Sequence, residues 1–121
     1  MAKNKYADQL GKSGELHVAR FLEHRHCRII ERNWRIKNGE IDIVAQSPDG
    51  IFLFIEVKSR SSEAFGHPLE SISLEKVQRL QKLALAWLAL HGKFGSEYRI
   101  DAAAVLLRRG VFEIDYREAV A

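Results

Sequence analysis

The sequence contains a single cysteine and no long run of apolar residues. Because Cys27 alone cannot form a disulfide within the chain, nothing in the composition suggests an oxidising compartment. No segment approaches the ~20 consecutive apolar residues of a membrane-spanning helix, and the first residues lack the apolar core of a secretory leader. We therefore expect a cytoplasmic protein with no membrane partner, and the length of 121 residues predicts one domain over residues 1–121.

The charge balance is only mildly basic. Lysine and arginine number 19 against 16 acidic residues, which gives a formal net charge of +3. The basic excess lies in the first forty residues, which contain nine basic and five acidic side chains. This distribution weakly suggests a polyanionic partner, but from charge alone an ordinary solvated surface is the better explanation.

The pattern of apolar residues predicts a helix, three strands, a second helix and two further strands. The predicted helices cover residues 13–24 and 74–91, and the predicted strands cover residues 28–36, 40–45, 51–58, 98–107 and 111–116. An Asn-Gly turn at residues 37–39 and a tight turn at 47–50 join the first three strands, and residues 59–68 form a predicted loop. This order predicts an α/β domain with a central mixed sheet flanked by helices.

Two charges interrupt the third predicted strand. Alternate side chains of a strand share one face, so Phe52 and Phe54 are followed on their face by Glu56 and Lys58. Burying such charges is costly unless each finds a partner. Taken alone, a Glu-x-Lys motif is more typical of a strand end with a surface salt bridge.

The second predicted strand adds another carboxylate, Asp42, in mid-strand. The short turn makes the second and third strands antiparallel neighbours and places Asp42 opposite Glu56 or an adjacent residue. Two carboxylates this close repel each other unless a cation or a proton intervenes. A hard divalent ion such as Mg²⁺ would resolve the conflict. We rank this slightly above the alternative, in which Lys58 and Arg60 neutralise the pair.

The first helix carries an acidic residue on its apolar face. Glu15 has helical spacing to Val18 and Leu22. Two interpretations are equally supported. Glu15 is either an exposed first-turn acid stabilised by the helix dipole, or a carboxylate directed toward Asp42 and Glu56.

Several short motifs together resemble a known family. They are Gly14-Glu15, Arg32-Asn33, residues 39–45, residues 54–58 with Arg60, and Phe65-Gly66. These stretches resemble the bacterial YraN family of small endonucleases, within the restriction-endonuclease-like superfamily, and the similarity extends over residues 11–101. The resemblance implies a core of helix, three strands, helix and strand, with kinship to archaeal Holliday-junction resolvases.

The resemblance also implies an activity, which leads to the hypothesis of a Mg²⁺- or Mn²⁺-dependent endonuclease acting on DNA, including branched or otherwise structured DNA. In this hypothesis Asp42, Glu56 and the Val57 carbonyl hold the metal, and Glu15 completes its shell or holds a water. Lys58 orients the attacking water and stabilises developing negative charge. A homodimer is a further expectation, because nucleases that cut both strands often act as two-fold pairs.

Basic residues near this predicted site are candidates for binding flanking phosphates. They are Arg60, Lys76 and Arg79, although for Lys76 and Arg79 an ordinary solvated helix face is the slightly better explanation. We expect Asp101 to be a structural partner of Arg99 or another nearby base. The alternative functions are a non-catalytic nucleic-acid-binding module and an adaptor that retains the nuclease fold.

Overall fold

The computed structural model describes residues 5–37, 39–61, 69 and 72–121. In chain order its elements are α1 (Lys5–His24), β1 (Arg28–Ile36), β2 (Gly39–Gln46), β3 (Phe52–Arg60), α2 (Leu74–Leu90), β4 (Tyr98–Arg108) and β5 (Val111–Arg117). The predicted order is confirmed, although α1 begins at residue 5 rather than at 13. Asn38 of the predicted turn, Phe65-Gly66 and most of the predicted loop lie outside the described residues.

The five strands form one mixed sheet in the order β1-β2-β3-β4-β5. Only the β3–β4 pair is parallel, and α2 lies in the crossover that such a pair requires. The β2–β3 register pairs Ile43 with Ile55 and Gln46 with Phe52. Carried one residue further, this register places Asp42 opposite Glu56, as predicted.

Each helix covers one face of the sheet and encloses its own apolar cluster. The cluster beneath α2 contains Ile41, Val44, Phe52, Phe54, Leu80, Leu83, Ala84, Trp87, Leu88 and Ile100. The cluster beneath α1 contains Val18, Ala19, Leu22, Ile43, Ala45, Leu53, Ile55, Ala103 and Val105. Strand β3 contributes to both clusters, as its apolar run predicted.

One residue departs from the side-chain alternation of a regular strand. Alternation along β2 would place Ile41 on the face of Ile43 and Ala45, but Ile41 packs in the cluster beneath α2. The paired part of β2 and β3 ends at Ile43 and Ile55, while β2 stays paired with β1 through Ile41 and Trp34. The departure coincides with the left-handed backbone of Asn33 on β1, between the Arg32–Ile43 and Trp34–Ile41 pairs.

Two local features hold the helices next to the end of β3. A Cβ on Gly14 would lie 1.9 Å from Ser59 Oγ, so only glycine allows α1 to approach β3 this closely. Ser73 is the N-cap of α2, because its Oγ accepts a hydrogen bond from the Lys76 backbone N–H at 3.1 Å. The middle of α1, at Gly14, and the first turn of α2, at Lys76, therefore lie near the charged end of β3.

Within the described part of the chain, no helix combines the length and apolar character needed to cross a membrane.

Candidate active site

Asp42 lies where β2 and β3 stop pairing. Its Oδ2 accepts a hydrogen bond from the Val57 backbone N–H at 2.8 Å. Asp42 lies one residue, and Val57 two residues, beyond the last paired residues, Ile43 and Ile55. A side-chain carboxylate thus takes the place of a backbone acceptor. The bond holds Asp42 between the two strands and beside Glu56.

Glu56 is a buried acid on which two lysines converge. Its Oε1 lies 2.6 Å from Lys76 Nζ and 3.7 Å from Lys58 Nζ, and its side chain is only 9% exposed. Lys58 comes from the same strand, whereas Lys76 comes from the first turn of α2. The predicted grouping of Asp42, Glu56 and Lys58 is therefore present, with Lys76 as a fourth member.

The pKa values of Asp42 and Lys58 are shifted by their surroundings. Burial, followed by repulsion from Glu56, raises the pKa of Asp42 to about 8, although the Val57 N–H bond opposes the change. Burial also lowers the pKa of Lys58, and the neighbouring Lys76 lowers it further. A divalent cation at the carboxylates would reverse the effect on Asp42 because it favours the ionised form.

Glu15 has a buried carboxylate oxygen without a hydrogen bond. Its Oε1 is shielded from solvent and has no hydrogen-bond partner, and Arg32 Nη2 lies 3.9 Å away. Burial is the main reason why the pKa of Glu15 is raised, and the nearby Glu56 adds to the effect. A buried polar atom left without a partner is typical of a position that a ligand or ion completes.

The three predicted carboxylate ligands do not gather into one shell. In the part of the chain that the structure describes, no three acidic, histidine or cysteine side chains lie close enough together to hold a metal. Asp42 and Glu56 line one cavity of about 240 Å³, whereas Glu15 lines another of about 420 Å³ with Lys58 and Arg60. Two carboxylates with waters are sufficient for Mg²⁺, so the pair fits such an ion. The role of Glu15 as a third ligand remains a prediction.

Residues 14–105 match the family described as "Uncharacterised protein family UPF0102". The chain belongs to the UPF0102 family. A UPF0102 protein of Renibacterium salmoninarum is 52% identical over 103 residues, which cover 84% of this chain and 86% of that protein. A UPF0102 protein of Beutenbergia cavernae is 43% identical over 114 residues, which cover 93% of this chain and 96% of that protein. The predicted membership in the YraN-like family is confirmed.

Among solved structures, that of Pyrococcus furiosus SfsA in complex with Ca²⁺ is similar, with a TM-score of 0.40 and 19% sequence identity. The match covers 92% of this chain and 63% of SfsA, so the chain spans less than two thirds of that protein. A similarity this distant implies nothing about the chemistry of the UPF0102 chain.

The three candidate phosphate-binding residues of the UPF0102 chain differ in their surroundings. Lys76 is paired with Glu56, so the explanation of an ordinary solvated face is wrong for this residue. Arg79 lines the same cavity and is 56% exposed. Arg60 is exposed, and its Nη1 donates a hydrogen bond to the backbone oxygen of Ser59 at 2.8 Å. Contact with DNA remains a prediction for all three.

Asn33 is a site residue of the UPF0102 chain to which sequence reasoning gave no role. It lies within β1 with a left-handed φ of 54°, and the register on either side places it opposite Asp42. Its side chain lies near enough to Glu15 to lower the pKa of that acid, against the larger effect of burial. Asparagine tolerates this conformation better than most residues, and the Arg32-Asn33 motif was the only sequence signal. Asn33 thus lies next to both Asp42 and the α1 carboxylate.

Because the backbone at Asn33 is left-handed, we expect Asn33→Ala to destabilise the protein more than Asn33→Gly does. Asn33→Ala should lower the free energy of unfolding by about 1–2 kcal/mol, because alanine is strained in this left-handed conformation. Asn33→Gly should cost less, because glycine adopts this φ without strain. Urea unfolding of the two variants beside wild type measures the difference. Equal stability of alanine and glycine would show that the backbone here carries no strain.

Proposed function

We propose that this chain is a metal-dependent endonuclease that hydrolyses phosphodiester bonds in DNA with Mg²⁺ or Mn²⁺. The observation that supports this most directly is the placement of Asp42 beside Glu56 where β2 and β3 separate. Both acids are desolvated, and the pKa of Asp42 is raised to about 8 by burial and by Glu56. A divalent cation bound by the pair would displace the proton of Asp42 and relieve the repulsion between the two carboxylates.

The proposed ligands are the carboxylates of Asp42 and Glu56 with the Val57 carbonyl. When bound, the ion would polarise the scissile phosphate and lower the pKa of a water. The buried Oε1 of Glu15, which has no hydrogen bond, supports a role for this acid toward the same ion or a water beside it. These oxygens are hard ligands, which suit Mg²⁺ and Mn²⁺.

The basic residues supply the rest of the proposed chemistry. Lys58 orients the attacking water, and its amine stabilises negative charge that develops on the phosphate. Because burial lowers the pKa of Lys58, this amine gives up a proton more readily than an exposed lysine does. Arg60 and Arg79, both exposed, bind flanking phosphates and position DNA without reading its sequence.

The test is a cleavage assay on branched, single-stranded and duplex DNA with Mg²⁺ or Mn²⁺. Wild type should cleave at least one substrate, Glu56→Ala should not, and Lys58→Ala should be slower by about a hundredfold or more. Glu97→Ala, which changes an exposed glutamate, is the matched control and should retain activity. Equal cleavage by Glu56→Ala and wild type would refute the proposal and point to a contaminating nuclease.

One observation favours a second candidate, a non-catalytic nucleic-acid-binding module. Lys76 already neutralises Glu56, and no cluster of three metal-ligating side chains exists among the residues described. In that case the cleavage assay would show no product, and a gel-shift assay on the same DNA substrates would detect metal-independent binding. Failure to bind DNA even at low salt, where phosphate contacts are strongest, would leave the adaptor.

We also propose that the active form is a homodimer, which would let two sites cut opposite strands. Analytical ultracentrifugation with and without branched DNA measures this. A species that stays monomeric on the DNA it cleaves would contradict the dimer and leave the nuclease proposal intact.

A further inference from the structure

We infer that Lys76 is the resident counter-ion of the acidic pair: its ammonium neutralises Glu56 when no divalent ion is bound, and leaves when one binds. This inference rests on the proposed metal site and deepens it. In this inference the Lys76 ammonium pairs with the Glu56 carboxylate in the metal-free protein and with a phosphate of the substrate once metal is bound.

The contact between Lys76 and Glu56 is short, and it lies in the cavity that Asp42 also lines. Lys76 Nζ lies 2.6 Å from Glu56 Oε1, closer than Lys58 Nζ at 3.7 Å. Lys76 and Glu56 line the same cavity as Asp42. The lysine ammonium therefore lies at the mouth of the acidic pair, where a cation bound to both carboxylates would be expected.

An ammonium and a divalent ion compete for this position. Two cations a few ångströms apart repel each other strongly in a partly desolvated site, and each would need the electron pairs of Glu56. Binding of a metal by Asp42 and Glu56 must therefore include the cost of displacing Lys76. The affinity of the site for metal should accordingly be lower than the two carboxylates alone would give.

The environment of Lys76 allows it to move. Its side chain is 29% exposed, against 9% for Glu56, so the ammonium can reach solvent by rotating its flexible stem while the carboxylate stays in place. The adjacent Arg79 extends along the same cavity. Once released, Lys76 lies beside Arg79, where both can contact a phosphate.

The experiment is a calorimetric titration of metal-free protein with Mn²⁺, without DNA. Lys76→Met keeps the length of the side chain and removes its charge. We expect it to bind Mn²⁺ about tenfold more tightly than wild type, because no ammonium has to be displaced. Lys82→Met is the matched control, since Lys82 is an exposed lysine on the same helix, and its affinity should equal that of wild type.

A second measurement needs no substitution. Acetylation of lysines in wild type, quantified by mass spectrometry, reports how free each amine is. We expect Lys76 to be labelled several times faster when the protein is saturated with Mn²⁺ than in EDTA, while Lys82 serves as the internal reference. This measurement decides the question if Lys76→Met does not fold.

The outcomes separate this inference from the proposed function. If wild type binds Mn²⁺ but Lys76→Met binds it equally or more weakly, the counter-ion role is overturned, Lys76 only holds Glu56 in place, and the nuclease proposal stands. If Lys76→Met binds Mn²⁺ where wild type does not, the inference is strongly supported. If neither binds at millimolar concentration, the metal site fails, and both proposals fail with it.

Discussion

Asparagine in place of Asp42 is expected to stop DNA cleavage and to make the metal-free protein more stable at pH 8. The loss of a proposed metal ligand should reduce the cleavage rate by about a thousandfold or more. The gain in stability has a separate cause. The asparagine amide oxygen can still accept the Val57 N–H bond, but the side chain no longer ionises inside the protein.

The sign of the stability effect follows from the pKa of Asp42. Burial and Glu56 raise it to about 8 in the folded state, whereas an aspartate in the unfolded chain titrates near ~3.9. Between these values the folded protein holds a proton that the unfolded chain has released. The stability of wild type therefore falls as pH rises from about 4 to about 8, and the contribution of Asp42 is complete only below this window.

Urea unfolding in EDTA across this pH range measures the effect. Asp42→Asn should exceed wild type by about 2–4 kcal/mol at pH 8 and by much less at pH 5, since each unit of pKa shift corresponds to about 1.4 kcal/mol and coupling to Glu56 reduces the total. Asp49→Asn, at an exposed turn position, should not change the pH dependence. Parallel pH profiles for wild type and Asp42→Asn would contradict the raised pKa.

The sequence predicts the acidic pair because local rules determine it. A short turn fixes the antiparallel pairing of β2 and β3, and the apolar run of β3 requires both faces to be covered. These two constraints place Asp42 opposite Glu56 or an adjacent residue. The apolar pattern of the chain also predicts β1 to the residue and the other strands to within one or two residues at each end.

The features that sequence reasoning missed depend on how the helices lie across the sheet. Periodicity assigns Lys76 to a polar face of α2, but only the packing of α2 brings its ammonium to Glu56. The position of Glu15 likewise depends on the close approach of Gly14 to Ser59. No pattern in a single sequence encodes these long-range distances.

Asp101 is a buried acid for which sequence reasoning predicted the correct partner, Arg99. Its side chain is fully buried and accepts bonds from Arg99 Nε at 3.0 Å, from the Tyr116 hydroxyl, and from the Ala119 backbone N–H at 2.9 Å. Burial, followed by the charge of Asp101, raises the pKa of Tyr116, which keeps its hydroxyl protonated as a donor. One carboxylate thus joins β4 to β5 and to the chain beyond it.

Asp101→Ala is expected to lower the free energy of unfolding by about 3–5 kcal/mol, because Arg99 Nε and two further donors lose their shared buried acceptor. Arg99 keeps its second partner, Glu118, at 3.2 Å. Asp115→Ala is the matched control. Asp115 also pairs with an arginine two residues away, Arg117, at 2.9 Å, but that arginine is 58% exposed. Removal of this outer pair should cost about 1 kcal/mol or less.

Urea unfolding of both variants in EDTA gives the comparison, and Mn²⁺ titration of the folded protein adds a second readout. Because Asp101 does not line the cavity of Asp42 and Glu56, the affinity of Asp101→Ala for Mn²⁺ should equal that of wild type under conditions in which the variant is folded. Similar small losses for Asp101→Ala and Asp115→Ala would mean that desolvation of the buried carboxylate cancels what its three bonds contribute. A large loss for Asp101→Ala alone would show that burial, rather than the Arg–Asp spacing, determines the strength of such a pair.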